Sequence, residues 1–200
     1  MNEPLLVEAE GRVVFVTVNR PEARNAMITR VLGRLHAMSK PTIAMVQGDA
    51  VGGGLFMALA CDLRLAAEHA RFGAPVARTL GNCTAPLAFS LLAATIGPVR
   101  ARNLLLTARL MDASEAGAVG LVDEVHAADQ LAGRVRGLAT HLSELAPLTL
   151  AAVKEATRRV TAPAALRDAE DLILSCYLSR DFQEGVRAFL EKRKAEWQGR

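Results

Sequence analysis

The chain has 200 residues, 51% of them hydrophobic, which is enough to bury a sizeable core in one or two domains. Charged residues make up 22%, the net charge is +3 and aromatic residues are only 4%, so neither a disordered chain nor a nucleic-acid-binding surface is expected. Its 3 cysteines, Cys61, Cys83 and Cys176, are odd in number and widely spaced, which fits neither a zinc site nor a disulfide framework.

"PLLVEAEGRVVFVTVNR" reads as two short strands joined at "EG". In "ITRVLGRLHAMSK", Ile28, Val31, Leu32, Leu35 and Met38 recur at helical spacing, and Pro41 is expected to end the helix. "PTIAMVQG" is a continuous apolar run of strand length, the pattern of a strand buried on both faces. After the glycines, "LFMALACD" is apolar nearly all round, as in a buried helix. "LRLAAEHARFGAP" reads as strand, turn and strand. "APLAFSLLAATIG" and "PVRARNLLLTARL" read as helices split at Gly97–Pro98. Asp112 with Glu115 three residues on is a capping-box pattern, and "LVDEV" is a short strand. From Asp129 onward the pattern is helical, broken near Pro147 and Pro163. No run is long enough to cross a bilayer and no signal peptide opens the chain, so a cytoplasmic protein without membrane or nucleic-acid partners is expected.

Glycine is a poor helix former, yet three occur in a row in "QGDAVGGGLFMALACD", where a helix should begin. A strand that runs through a glycine turn into a helix leaves unpaired, partly positive backbone N–H groups at the helix start. Such a turn can hold an anion or stabilise charge developing on an oxygen. The plainer alternative is close helix–strand packing. The spacing is not the G-x-G-x-x-G dinucleotide fingerprint, and no Lys-Ser/Thr pair follows to make a P-loop.

"VTVNRPEARNAM", "KPTIAMVQGDAVGGGLFMALACDLRLAAEHARFGAP", "LLLTARLMDASEAGAVGLVDEV" and "AFLEKRKAEW" occur in this order along the chain. Together they resemble the enoyl-CoA hydratase/isomerase, or crotonase, family over nearly the whole length. The resemblance implies an α/β spiral of strand-strand-helix units over 1–127 and a helical C-terminal region over 128–200 that builds trimers or hexamers. It implies an acyl-CoA substrate, with coenzyme A carried by that substrate, no separate cofactor and no metal. The matching residue for one oxyanion-hole donor is Gly53. Ala23 and Arg24 match the loop at the adenine end of CoA, and Phe189 and Lys192 match tail positions that close over CoA. For Arg24 and Lys192 a solvated surface role is the alternative. The implied function is an enzyme resembling enoyl-CoA hydratase, adding water to a 2-enoyl-CoA in fatty acid metabolism. The alternatives are an isomerase or thioester hydrolase of the family, and a non-catalytic acyl-CoA binder.

The match departs from the family in two places. Hydratases of the family use two glutamates; Phe56 stands at the first position, and Val76 or Ala77, with Arg78 next, at the second. Phenylalanine and valine cannot shuttle protons, so both are read as substrate-pocket residues. Asp49, Asp62, Glu68, Asp123 and Glu124 are possible substitutes, each better suited to capping or surface roles. His36 and His69 read as surface groups. Asn82 could orient a substrate oxygen, whereas Cys83 lacks an evident base and reads as an inert thiol. The second departure is larger: family members carry a helix, a strand and a loop where Met27 here runs straight into Ile28. Either a segment of the natural chain is omitted or the deletion is genuine. Removing an interior strand would leave its apolar neighbours uncovered, which favours omission.

Overall fold

The computed structural model describes residues 5–10, 13–18, 29–161 and 178–198. Ala23, Arg24, Cys176, Pro163 and the Met27–Ile28 junction lie outside the described residues.

Strands β1 (Leu5–Glu10) and β2 (Val13–Val18) form an antiparallel hairpin, in register from Leu5↔Val18 to Glu10↔Val13. Helix α1 (Thr29–His36) buries Leu32 completely. It stops at His36 and does not run on to Pro41; the backbone must turn extended ahead of that proline.

Six strands interspersed with helices then follow. β3 (Ile43–Val46) and β4 (Ala50–Val51) lead into α2 (Gly53–Ala60), and β5 (Leu63–Ala67) and β6 (Arg71–Gly73) follow. The chain continues through α3 (Val76–Thr79), α4 (Pro86–Ile96) and α5 (Pro98–Leu106) to β7 (Met111–Asp112), α6 (Ala113–Ala118) and β8 (Glu124–His126). The pairs β3–β4, β5–β6 and β7–β8 each place one strand in one sheet and one in another. The first sheet is parallel, in the order β3-β5-β8; the second has the order β4-β6-β7. β5 and β6, neighbours in sequence, therefore belong to different sheets.

Period-two alternation in β5 divides the core. Leu63, Leu65 and Ala67 face α7 (Ala128–Glu144), where they meet Leu131 and Val135. Ala66 joins the larger cluster built by α1, α2, α4 and α5 around Leu55, Phe56, Leu92 and Leu104. Helix α2 is buried at Leu55, Phe56, Ala58, Leu59 and Ala60, so the all-round apolar pattern does mark an interior helix. β3 differs from expectation. Among the described residues it is hydrogen-bonded on one side only, to β5, and Met45 is 41% exposed. Among the described residues it stands at the edge of its sheet with a central strand's sequence.

The capping box is half formed. Asp112 Oδ1 accepts from the Glu115 N–H at 2.8 Å, but the Glu115 carboxylate turns away to bind Arg109. Helices α8 (Pro147–Thr161) and α9 (Arg180–Leu190) complete the described chain. Arg136 of α7 lies 4.9 Å over the Phe15 ring and reaches Glu10, which ties the hairpin to the helical layer. Among the described residues no helix is long and apolar enough to cross a membrane.

Candidate active site

The glycine turn sits where two parallel strands end together. β4 and β6 pair with Val51 opposite Gly73, and the Gly52 N–H donates to the Gly73 carbonyl at 2.8 Å. That bond places the Gly52–Gly54 turn beside the segment Ala74–Val76. Ligand sites in open α/β sheets gather at such carboxyl ends.

Gly52 is the N-cap of α2, with φ 58° and ψ −116°. An L side chain rarely adopts this conformation, so the position requires glycine. The helix begins at Gly53, which puts two glycines inside its first turn. No side chain caps it, and no acidic residue lies in the first turn. Phe56 N–H donates to the Gly52 carbonyl at 3.3 Å, closing the helix. The amides of Gly53, Gly54 and Leu55 have no hydrogen-bond partner among the described residues. A partly buried helix start with unmet donors and no counter-charge is an anion-attracting place.

Close packing does not account for Gly52 or Gly54. A Cβ placed on Gly52 or Gly54 would meet nothing within 4 Å. The contrast within the same molecule is clear. At Gly73 a Cβ would lie 2.7 Å from the Arg109 carbonyl oxygen, and at Gly81 2.7 Å from the Trp197 ring. Those two glycines permit contact; Gly52 and Gly54 face open space.

The wall of the turn is apolar. Phe56 is 7% exposed and belongs to the main core cluster. Ala74 and Pro75 are buried, and Val76 is half-buried at the start of α3. Gly53, Phe56 and Val76 thus share one end of the β4–β6 ladder. Asn82, half-buried, lies farther along, in the stretch between α3 and α4. Phe189 and Lys192 lie on and just past α9, whose Gly185 rests on the Leu80 backbone and whose tail brings Trp197 onto Gly81.

The possible substitute acids are mostly committed elsewhere. Arg71 grips Asp49 with two bonds, 2.9 and 2.6 Å, and that hydrogen bonding holds the Asp49 carboxyl below its usual range. Asp62 accepts from Thr42 and Lys154. Asp123 accepts from the Arg64 backbone N–H. Glu124 is bound by Arg134 and by His126, Arg134 first among the causes that lower its pKa. Glu68 is exposed. Burial raises the Cys61 thiol to about 11, so it remains protonated and unreactive. Among the described residues no three metal-ligating side chains are grouped. A cleft of about 230 Å³ between His36 and α8 contains Lys154 and Arg158, but Asp62 and Glu155 already neutralise them.

The sequence reading missed Trp197 and Glu184. Glu184 is buried and bound by Arg187 of the same helix and by Arg193 and the Glu196 N–H, and the last two fold the tail back onto α9. Hydrogen bonding from Arg193 holds its carboxyl far below the usual range. A glycine inside "DFQEGVRAF" was the available signal for a different close approach, that of α9 to the Leu80 backbone. The same fold-back sets Lys192. Its φ is 55°, its N–H donates to the Phe189 carbonyl, and the Arg193 N–H donates to the Ala188 carbonyl. This is a Schellman turn with lysine at the position that favours glycine. Lys192→Gly is expected to raise stability by about 0.5–1 kcal/mol, because relief of left-handed strain exceeds the added unfolded-state entropy. Urea unfolding measures it, and a loss of stability would mean that the lysine side chain holds the tail.

An α/β spiral with a glycine-opened helix beside a strand end defines a class of fold, and comparison with known proteins places the chain within it. The enoyl-CoA hydratase/isomerase family profile matches residues 28–200, and the chain belongs to that family. A probable enoyl-CoA hydratase of Rhizobium meliloti (strain 1021) is 31% identical over 255 positions, covering 99% of each chain. The crystal structure of an enoyl-CoA hydratase from Mycobacterium avium subsp. paratuberculosis K-10 superposes with a TM-score of 0.87 at 26% identity, covering 98% of this chain and 99% of that one. Methylmalonyl-CoA decarboxylase in complex with 2-nitronate-propionyl-CoA gives a TM-score of 0.79 at 31% identity, covering 86% of this chain and 67% of that one. The Rhizobium alignment runs over 255 positions against a chain of 200 residues, so that relative has sequence with no counterpart here.

Proposed function

We propose that the protein binds an acyl-CoA thioester and that the amides at the Gly52–Gly54 turn hold the thioester oxygen as an enolate develops. The observation that carries this reading is the uncapped start of α2, where the Gly53, Gly54 and Leu55 amides lack partners among the described residues beneath open space at Gly52 and Gly54. Glycine inside a helix costs about 0.5–1 kcal/mol relative to alanine, and here no close contact offsets it. Open space above unmet donors suits a ligand oxygen. The related proteins bear names for water addition and for decarboxylation, and CoA thioesters recur among them.

Gly53 supplies the proposed donor. Phe56 and Val76 shape the apolar acyl site, Asn82 orients a substrate oxygen, and Ala23, Arg24, Phe189 and Lys192 serve the CoA-facing side. A second donor would come from the segment that family members carry between the positions of Met27 and Ile28. Addition of water to a 2-enoyl-CoA, without the two glutamates that hydratases of the family use, is the first reading of the reaction, with isomerisation, thioester hydrolysis and simple binding as alternatives.

Three variants test the site. Gly53→Pro removes one amide at the first helical position, where proline is tolerated, so the fold is expected to persist while butyryl-CoA affinity falls. Gly54→Ala is expected to add about 0.5–1 kcal/mol of stability, and Gly52→Ala to cost about 1–2 kcal/mol through backbone strain. Calorimetric titration with butyryl-CoA and urea unfolding read both effects. Unchanged affinity in Gly53→Pro would remove the turn from the binding site.

A further inference from the structure

The single-turn helix α3 links the glycine turn to the tail of the chain. It lies against α5 but buries no residue of its own, so little of its position comes from core packing and its two ends decide its place. The near end is fixed. Gly73 stands opposite Val51 in the β4–β6 ladder, accepts from the Gly52 N–H and packs tightly on Arg109 and Leu110. From Ala74 to Gly81 the backbone forms one bonded unit. The Val76 N–H donates to the Ala74 carbonyl at 2.8 Å, and the Leu80 and Gly81 N–H groups both donate to the Val76 carbonyl, at 3.0 and 2.9 Å.

The far end is held by the tail. Gly185 lets α9 come close to the Leu80 backbone, and the Trp197 ring closes the contact at Gly81, where a Cβ would lie 2.7 Å from it. The ring is locked on both sides in sequence. The Glu196 N–H donates to the buried Glu184 carboxylate at 3.1 Å, and the Gln198 N–H donates to Asp181 at 2.6 Å. Arg193 binds the same Glu184 carboxylate at 2.6 and 3.1 Å. A short rigid element carries a displacement of one end to the other. Resting on the acyl-CoA reading above, we propose that Trp197, locked by Glu184, is a positioning residue that holds α3 and so sets the width of the acyl site between Val76 and the Gly52–Gly54 turn. Neither residue acts on the acyl group directly; both act through the placement of Val76. Without the ring, α3 can swing about Gly73. The widened site then grips a short acyl chain less well and admits a longer one.

The test is calorimetric titration of the full chain and of Trp197→Ala, Trp197→Phe and Glu184→Gln with butyryl-CoA, octanoyl-CoA and free CoA. In Trp197→Ala the ratio of octanoyl-CoA to butyryl-CoA affinity is expected to rise about tenfold, the scale on which an apolar pocket distinguishes one methylene. Free CoA carries no acyl group and should bind as before. Glu184→Gln removes the charge that holds Arg193 and should shift the ratio in the same direction. Trp197→Phe keeps a ring at Gly81 and should restore it. A merely structural role for the tail would weaken all three ligands together and leave the ratio unchanged, and that result would overturn the proposal. Should Trp197→Ala fail to fold, an unchanged ratio in Glu184→Gln would overturn it equally. Failure of the unsubstituted protein to bind butyryl-CoA would instead sink the acyl-CoA reading itself.

Discussion

Phe56→Ala is expected to destabilise the protein by about 3–5 kcal/mol in urea unfolding. Phe56 is 7% exposed within α2, a helix that buries residues on every side. It belongs to the cluster that also contains Leu32 of α1 and Leu92 of α4, so the lost volume lies where several elements meet. Such a site collapses poorly, and the residual cavity adds to the lost transfer free energy. A loss below about 1 kcal/mol would show that the ring is not packed as described. Phe56→Glu separates packing from chemistry. The introduced carboxyl would be buried, so its folded-state pKa would rise above the unfolded value near 4.3. Below that unfolded value the group is neutral in both states. As pH rises through it, the folded protein binds more protons than the unfolded chain, and stability falls. The variant should therefore be less stable at pH 7 than at pH 4, relative to the unsubstituted protein. It should not gain hydratase activity, because a single buried carboxyl supplies neither the second acid–base group nor a charged base.

Much of the fold was legible in the sequence, and the limits have physical causes. The all-round apolar α2 and the helices split at Gly97–Pro98 announced themselves through pattern and punctuation. β4 and β7 have two residues each, too short for any periodicity, and α3 is a single turn. Sheet membership was also hidden: nothing local in "LRLAAEHARFGAP" says that its two strands enter different sheets, because that is decided by parallel partners far along the chain. β3 is the instructive case. Its apolar run promised burial on both faces, but the structure leaves one edge unpaired among the described residues and Met45 partly exposed. The strand's composition is suited to a neighbour that these residues do not supply. At the site, the glycine turn was visible as an anomaly against helix propensity. Its meaning required coordinates, because only the empty space over Gly52 and Gly54 argues against the packing alternative. The tail's attachment through Glu184 depends on arginines up to nine residues away, and no pattern in the sequence pointed to it.

Gly185→Ala should have the opposite outcome to Gly54→Ala, though both are glycine-to-alanine changes inside a helix. A Cβ at Gly185 would collide with the Leu80 carbonyl oxygen, would stand 2.6 Å from its carbon and 3.0 Å from the Leu80 Cα. These are backbone atoms and cannot rotate aside, so α9 must move away from the end of α3. The expected cost is about 1–3 kcal/mol, the range for overpacking a well-filled contact, despite the gain in helix propensity. The movement has a built-in reporter. The sequence has 1 tryptophan, Trp197, and its ring lies against Gly81 at the same contact. The Gln198 N–H, one residue on, donates to Asp181 of α9, so ring and helix shift together. Displacement of α9 should therefore red-shift the tryptophan emission and increase its quenching by iodide, before the core unfolds in urea. If Phe189 and Lys192 contact CoA, the same variant should also bind butyryl-CoA less tightly, while Gly54→Ala leaves the emission unchanged. Native emission, quenching and stability in Gly185→Ala would mean that α9 does not rest on Leu80, and the cover it forms over the stretch containing Asn82 would have to be withdrawn.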